Sequence, residues 1–517
     1  MMELSTLLLT ILTVGIYVYY FVLNKLSHFE RLKIPHVRPI PLLGNMAPFI
    51  FQRTSLAELI SNIYNLFPEA KYIGFYNLTK PVYIIRDPDL ITTIAIKNFD
   101  NFCDHHNFVS DDEPMASKNL FGLQGDHWRE MRKLLSPAFT SSKMKMMFKL
   151  ICECAENFTN FVVTQSGKIS KTYDMKETLC RYTNDVVATC AFGVSVDSFK
   201  NPNNEFFLLG RNTFTFDGRL SVMFFVHNHF PKLAKLLKLR MFGTKVERFF
   251  KDVVSSTVKI RDEQGIVRPD MIQLMMETRN NDQGLQFDIE EMTAQAFIFF
   301  FGGFDSVSTA MSFMVNEVAT KLDVQNKLRK EIDHVVRETN GKPTYEIINS
   351  MKYLNAVVNE SLRMYPVASY LDRLCVKEFE LPPATAGGKS ITLKPGDAVW
   401  FPSYALHHDP KYYSQPNKFN PDRFLNGDVD NSSYMPFGLG PRLCLGNRFA
   451  LLQMKIMLFY LLWRCDFERD AKTRDPIALD KKSPVTMAEG GFWLKLGARK
   501  STDPLEQYLS NGDENRD

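Results

Sequence analysis

The sequence predicts a mainly α-helical fold with small β-sheets, preceded by an N-terminal transmembrane helix. Three observations predict it. Apolar residues recur at helical spacing over long segments, above all between Asp288 and Leu322. Short β-prone runs are grouped around turns, as in YIGFYNLTKPVYII from Tyr72 to Ile85. An uncharged run, LSTLLLTILTVGIYVYYFVL, fills residues 4–23. Twenty residues of helix span about 30 Å, the thickness of a bilayer core.

The N-terminal run reads as a retained anchor. Tyr17, Tyr19 and Tyr20 fall near its C-terminal end, where an interfacial aromatic belt belongs. Lys25, Arg31 and Lys33 follow it, against Glu3 alone before it, so the positive-inside rule puts the rest of the chain on the cytoplasmic side. A cleaved signal peptide would need a basic n-region and a small-x-small site, and neither is present. Residues 24–45 form a basic, proline-rich strap in which Pro35, Pro39 and Pro41 stiffen the backbone. Residues 46–505 read as one large body without linker or repeat, and 506–517 as a polar tail.

Composition narrows the function classes. With 62 basic and 58 acidic residues the net charge is +4, too balanced for a nucleic-acid surface. Eight irregularly spaced cysteines in 517 residues do not form a disulfide framework. Within the body, helices are expected at Asp126–Leu135, from Met144 through the 190s, at Val324–Thr339, Met351–Met364 and Arg448–Arg464. The long helix opens with Asp288-Ile289-Glu290-Glu291, a capping-box pattern. A strand is expected from Leu393 to Phe401, after the Pro395-Gly396 turn. Residues 220–243 mix Phe and Leu with Lys232, Lys235, Lys238 and Arg240, a basic amphipathic stretch suited to a membrane surface or to a solvated helix face.

The chemistry concentrates at FGLGPRLCLG, Phe437 to Gly446. Gly438, Gly440 and Gly446 let the backbone turn tightly and approach a flat ligand. Arg442 places positive charge beside Cys444, and the helix expected from Arg448 points its N-terminal dipole back toward the sulfur. No second Cys or His stands at zinc spacing, and the adjacent set Cys103-Asp104-His105-His106 is too crowded to close a tetrahedron. A lone thiolate in such a cradle suits one axial position on haem iron.

The segment resembles the F-x-x-G-x-R-x-C-x-G signature of the cytochrome P-450 family, with Phe437, Gly440, Arg442, Cys444 and Gly446 at its fixed places. Glu360-Ser361-Leu362-Arg363 resembles the family's E-x-x-R element, with Arg423 in FNPDRF as its third partner. Trp128 to Arg132 fits W-x-x-x-R, and GGFDS at Gly302–Ser306 fits the oxygen-binding segment. The likeness covers essentially the whole chain and is strongest to insect microsomal members that metabolise xenobiotics.

That resemblance implies haem b with Cys444 as axial ligand, and Phe437 and Gly438 in the ligand loop. It implies Trp128, Arg132, Arg373 and Arg442 as propionate partners, and Glu360, Arg363 and Arg423 as a structural ion-pair network. Asp305 and Ser306 would deliver protons, with serine where the family usually has threonine. Phe108, Phe121, Phe297, Phe301, Phe304, Val367, Ala368 and Met487 are the expected lining of a lipophilic substrate pocket. The implied reaction is monooxygenation on the endoplasmic reticulum. No G-x-G-x-x-G or P-loop provides a nicotinamide or flavin site, so electrons from NADPH must arrive through a flavoprotein reductase, with cytochrome b5 as a second donor. Arg129, Lys133, Lys143, Lys145, Arg448 and Lys455 are candidates for its basic dock. A haem-thiolate isomerase or dehydratase, or a haem protein that only binds ligands, are the alternatives.

Overall fold

In the computed structural model the described residues are 24–106, 113–166, 169–214, 230–268, 270–279, 287–430 and 432–500, with scattered positions among 6–19 and 222–227. The described positions of the apolar run at 4–23, among them Leu9, Leu12, Ile16 and Tyr19, are helical with exposed side chains. The rest of that run, Phe108 and the tail 506–517 lie outside the described residues.

Local chemistry sets the helix boundaries. Helix α1 (Leu56–Asn65) starts on a Ser55/Glu58 capping box. Helices α2 (Gly125–Leu135) and α3 (Ser141–Ser166) follow. Helix α4 (Met175–Phe192) is capped by the Asp174 carboxylate, which accepts from the amides of Lys176 and Glu177, and it ends on left-handed Gly193. Then come α5 (Glu205–Phe214), α6 (Thr244–Gln264) and α7 (Met271–Arg279). The central helix is α8 (Ile289–Phe301), a π turn at Gly302–Ser306, and α9 (Val307–Thr320). It opens on the Asp288/Glu291 capping box. Helices α10 (Leu322–Thr339), α11 (Lys352–Met364) and α12 (Asn447–Arg464) complete the set used below.

Three small sheets flank the helices. In the first, β1 (Tyr72–Asn77) pairs antiparallel with β2 (Lys80–Ile85). Strand β2 then runs parallel to β7 (Ala398–Phe401), which pairs antiparallel with β4 (Leu371–Leu374). The second joins β3 (Lys171–Asp174), β9 (Trp493–Ala498) and β8 (Cys465–Arg469). The third is the pair β5 (Phe379–Leu381) and β6 (Ile391–Leu393). The expected strand around Pro395-Gly396 is therefore two strands in different sheets, because the turn rotates the chain out of one ladder into another. The helical stretch expected from Met144 onward is interrupted by β3, whose partner lies more than 300 residues away and leaves no local trace.

Two apolar clusters meet at the central helix. Val307, Met311, Phe313 and Val315 of α9 are buried with Ile151 and Phe158 of α3, Leu179 of α4, Leu354 of α11 and Ile456 of α12. Phe297, Phe300 and Phe304 lie instead with Trp128 of α2, Val187 of α4, Phe207 of α5 and Phe250 of α6. Each such ring or branched chain contributes about 1.5–3 kcal/mol on burial. Residues 289–320 are the one described helix long and apolar enough to cross a membrane, but neighbours bury most of it. It is a core helix, and its π turn falls where it passes from one cluster to the other.

Candidate active site

The cysteine loop is built by backbone constraints. Gly438 and Gly440 have φ of 88° and 70°, and a Cβ on Gly440 would meet the Ala95 carbonyl at 2.2 Å, so only glycine fits there. A 3-10 turn at Gly440–Arg442 then reverses the chain, and the Cys444 amide donates to the Phe437 carbonyl at 2.8 Å. Helix α12 starts three residues on. Among eight cysteines Cys444 alone is exposed. Burial pushes its thiol upward, opposed by the Gly446 amide and the charge of Arg132.

Buried positive charge surrounds this loop. The Arg442 guanidinium lies 3.9 Å over the Trp128 ring and donates to the carbonyls of Cys103 (2.7 Å) and Leu123 (3.1 Å) and to Asp104 (3.2 Å). Burial, partly offset by Asp104, brings it down to about 10. Arg373 of β4 is 2% exposed, donates to the carbonyls of Asp372 and Leu439, and leaves its Nε without a partner. The Arg132 guanidinium of α2 makes no hydrogen bond or ion pair among the described residues, and burial lowers it while the charge of Cys444 opposes. Buried guanidiniums with open donors call for anions, so two carboxylates of a bound group fit here. Haem b, the group implied by the cysteine signature, has that chemistry.

The π turn faces the same apolar cluster. Leu445 and Phe449 border the same apolar cluster as Phe299 and Phe301, and Phe139 reaches both segments: its ring lies 5.8 Å from Phe299, and its edge is the nearest atom to a Cβ placed on Gly446, at 3.8 Å. Gly303 admits Val187 of α4, which a Cβ would strike at 2.6 Å. Gly302 is different. It is exposed in the middle of a core helix, with nothing within 4 Å of an added Cβ. A loosened turn with open space is what a small ligand beside a metal requires.

Asp305 and Ser306 stand on this turn but are not bonded to each other. The Ser306 hydroxyl donates to the Gly302 carbonyl. Asp305 forms an ion pair with Lys176 of α4 at 2.8 Å, both largely buried. The Lys176 ammonium also donates to the Asp305 carbonyl (3.0 Å), Ser308 Oγ (2.8 Å) and Thr309 Oγ1 (2.7 Å). Burial alone would lower this ammonium; Asp305 and the Cys180 sulfur outweigh it, and the net direction is upward.

Glu360, Arg363 and Arg423 form one buried ion-pair network. Glu360 accepts from Arg363 at 2.7 and 2.9 Å and from Arg423 at 3.1 Å, and also from the Asn420 amide at 2.8 Å. The expected pocket residues separate. Phe297 and Phe304 are 1% exposed and belong to the core, with Phe304 stacked on Phe300. Phe301 is half-buried. Phe121 is 45% exposed and stacks on His105. Val367 and Met487 come together through the Thr486 amide, which donates to the Val367 carbonyl at 3.0 Å, beside exposed Ala368. Among the described residues no cluster of three or more Cys, His, Asp or Glu could hold a metal. Lys455 is buried against Asn349, and burial brings it down to about 8, which removes it from any surface dock.

A family model described as cytochrome P-450 matches residues 34–496. The chain belongs to the cytochrome P-450 family. Relatives extend over nearly the full length. Cytochrome P-450 9e2 of Blattella germanica is 45% identical over 91% of this chain and 94% of its own. Probable cytochrome P-450 9f2 of Drosophila melanogaster is 36% identical over 91% and 95%. Cytochrome P-450 6k1 of Blattella germanica is 32% identical over 95% and 96%. Membership carries the family's class of activity, haem-thiolate monooxygenation. Residues outside the family motifs complete this P-450 site. Asp104 joins Arg442 to the start of α2, accepting from the Gly125 amide at 2.8 Å. Lys176 and His407 make contacts between distant segments, which no sequence periodicity signals.

Proposed function

We propose that this cytochrome P-450 inserts one oxygen atom from O2 into lipophilic small molecules, xenobiotics such as insecticides or plant allelochemicals and also endogenous lipids. Electrons would come from NADPH through a flavoprotein reductase, with cytochrome b5 as a second donor. The observation that carries the reading is one exposed cysteine facing buried guanidiniums with open donors and a helix broken at exposed Gly302.

Haem, when bound, would supply dioxygen activation, with Cys444 as its thiolate ligand. The chain's own residues do the rest. The Gly446 amide and Arg132 favour the charged sulfur. Trp128, Arg132, Arg373 and Arg442 hold the carboxylates of the group. Asp305 and Lys176, paired at 2.8 Å, would relay protons toward the turn. Ser306 keeps free lone pairs while its own proton is committed to Gly302, so it accepts a hydrogen bond from water at the turn. Serine lacks the methyl with which threonine would exclude further water from the turn. Phe301, Val367, Ala368 and Met487 present an apolar wall to the substrate, and Glu360, Arg363 and Arg423 support the loop from behind.

Docking and location follow from the surface. Arg129 and Lys145 are paired with Asp100 and Glu346, whereas Lys133 and Arg448 remain exposed for an acidic reductase. Phe230, Leu233, Leu236 and Leu237 are exposed beside Lys232, Lys235 and Lys238. With the anchor at 4–23, this patch supports a body seated on the cytoplasmic face of the endoplasmic reticulum. The test is reconstitution with NADPH, microsomal reductase and isotopically labelled O2 over a panel of lipophilic compounds. The reading predicts one labelled oxygen atom in the product, dependent on reductase. Turnover without reductase would favour an isomerase or dehydratase, and ligand binding without any turnover would favour a carrier.

A further inference from the structure

Between the ion-pair network and the cysteine loop stands a side chain that no motif singled out. His407 ends the short helix Ser403–His407 and is fully buried. Its Nδ1 lies 3.0 Å from the Arg363 carbonyl, and its Nε2 lies 3.0 Å from the backbone nitrogen of Met435. These two partners determine the ring's protonation. An amide N–H only donates, so Nε2 must accept and carries no proton. A carbonyl only accepts, so Nδ1 carries the ring's single hydrogen. The His407 carbonyl in turn accepts from Arg363 Nη1 at 2.7 Å, which joins the two residues twice.

The connection continues in both directions. On one side Arg363 is bound to Glu360, and Glu360 to Arg423. On the other, the Met435 carbonyl accepts from the Gly438 amide at 3.1 Å, and the Phe437 carbonyl accepts from the Cys444 amide at 2.8 Å. The imidazole therefore joins the charged core to the turn that presents the sulfur, beside the Tyr434 hydroxyl, which donates to the Asn359 carbonyl at 3.1 Å. Its surroundings keep it neutral. Burial first, then the charges of Arg363 and His408, bring it down to about 3. Glu360 lies beyond Arg363, and the rings of Tyr413 and Tyr434 face His407 at 6.3 and 5.5 Å.

We infer that His407 is a positioning residue: as the neutral Nδ1–H tautomer it ties the Glu360–Arg363–Arg423 network to the Cys444 loop and sets how firmly the thiolate is held. The inference rests on the haem-thiolate reading above. It is tested on the haem-loaded full chain with His407→Leu, which loses both hydrogen bonds, and His407→Gln, whose amide keeps an acceptor near Nε2. Two readouts are used: the fraction in thiolate form in the reduced CO spectrum, and the rate of haem transfer to an apo acceptor protein. His407→Leu is expected to lose haem about tenfold faster and to convert much of the CO complex to the non-thiolate form, since a buried amide N–H is left without a partner. His407→Gln is expected to stay within about twofold of wild type, because the acceptor for Met435 is restored. If His407→Leu equals wild type in both readouts, or His407→Gln is as impaired as His407→Leu, the assignment is wrong. Should His407→Leu yield no folded protein, His407→Gln decides alone: wild-type behaviour supports the assignment and loss of the thiolate form overturns it. A wild type without any thiolate spectrum overturns the haem-thiolate reading as well.

Discussion

Arg132 shows most directly what the site lacks on its own. A guanidinium that is desolvated, lowered by burial and without a partner among the described residues costs stability until an anion meets it. Replacing Arg132 with Leu should therefore leave the haem-free protein as stable as wild type or more so, while weakening haem binding by about tenfold, as a lost charge-assisted hydrogen bond would. Haem titration beside thermal unfolding of the apoprotein checks both signs, and unchanged haem affinity would remove Arg132 from the propionate set. Lys176 makes the complementary case. It holds Asp305 at 2.8 Å, so Lys176→Met leaves a largely buried carboxylate without its cation. The rate of product formation should fall by about 10²-fold, the lower end of a general acid–base contribution. Combining it with Asp305→Asn should cost little more than either change alone, because the two act as a unit. Full additivity would mean that Lys176 acts on something else.

Helix α4 and the loop after it carry a pH dependence that the haem site does not control. Asp185 is buried and its carboxyl is pushed up to about 7 by desolvation, against hydrogen bonds from Ser198 and Asn184. The folded state thus keeps this proton to higher pH than the unfolded chain, whose carboxyl titrates near 3.8. The stabilisation is complete below about pH 4 and is lost as pH rises through about 7, roughly 4 kcal/mol in all. Asp185→Asn should flatten that slope and be the more stable protein at pH 8, measured as unfolding midpoints from pH 5 to 8. An unchanged slope would place the titration elsewhere. At this scale the sequence was informative wherever structure is local. The Asp288/Glu291 box starts the central helix as expected. Glu360 and Arg363, three residues apart, share one helical face. It was uninformative wherever long-range pairing decides. β3 interrupts a helical pattern because its partner β9 lies at the far end of the chain. Lys176 meets Asp305 across 129 residues.

For the molecule as a whole, two apolar clusters are joined by one helix, and the site lies where they meet. That arrangement explains why the cysteine signature was legible and the pocket was not. Gly440 and Cys444 are fixed by backbone turns that sequence records, whereas core and pocket both demand phenylalanine. Phe297 and Phe304, expected in the pocket, went to the core, while Phe301 remained half-buried. The central claim is that Cys444, alone exposed among eight cysteines, is the axial thiolate of a bound haem. Its most direct test is the absorbance of the reduced, CO-bound full chain, beside Cys444→Ser purified in the same way. The account predicts the long-wavelength band specific to thiolate ligation in wild type and its loss in Cys444→Ser. A wild type without that band, or a Cys444→Ser protein that keeps it, would contradict the account.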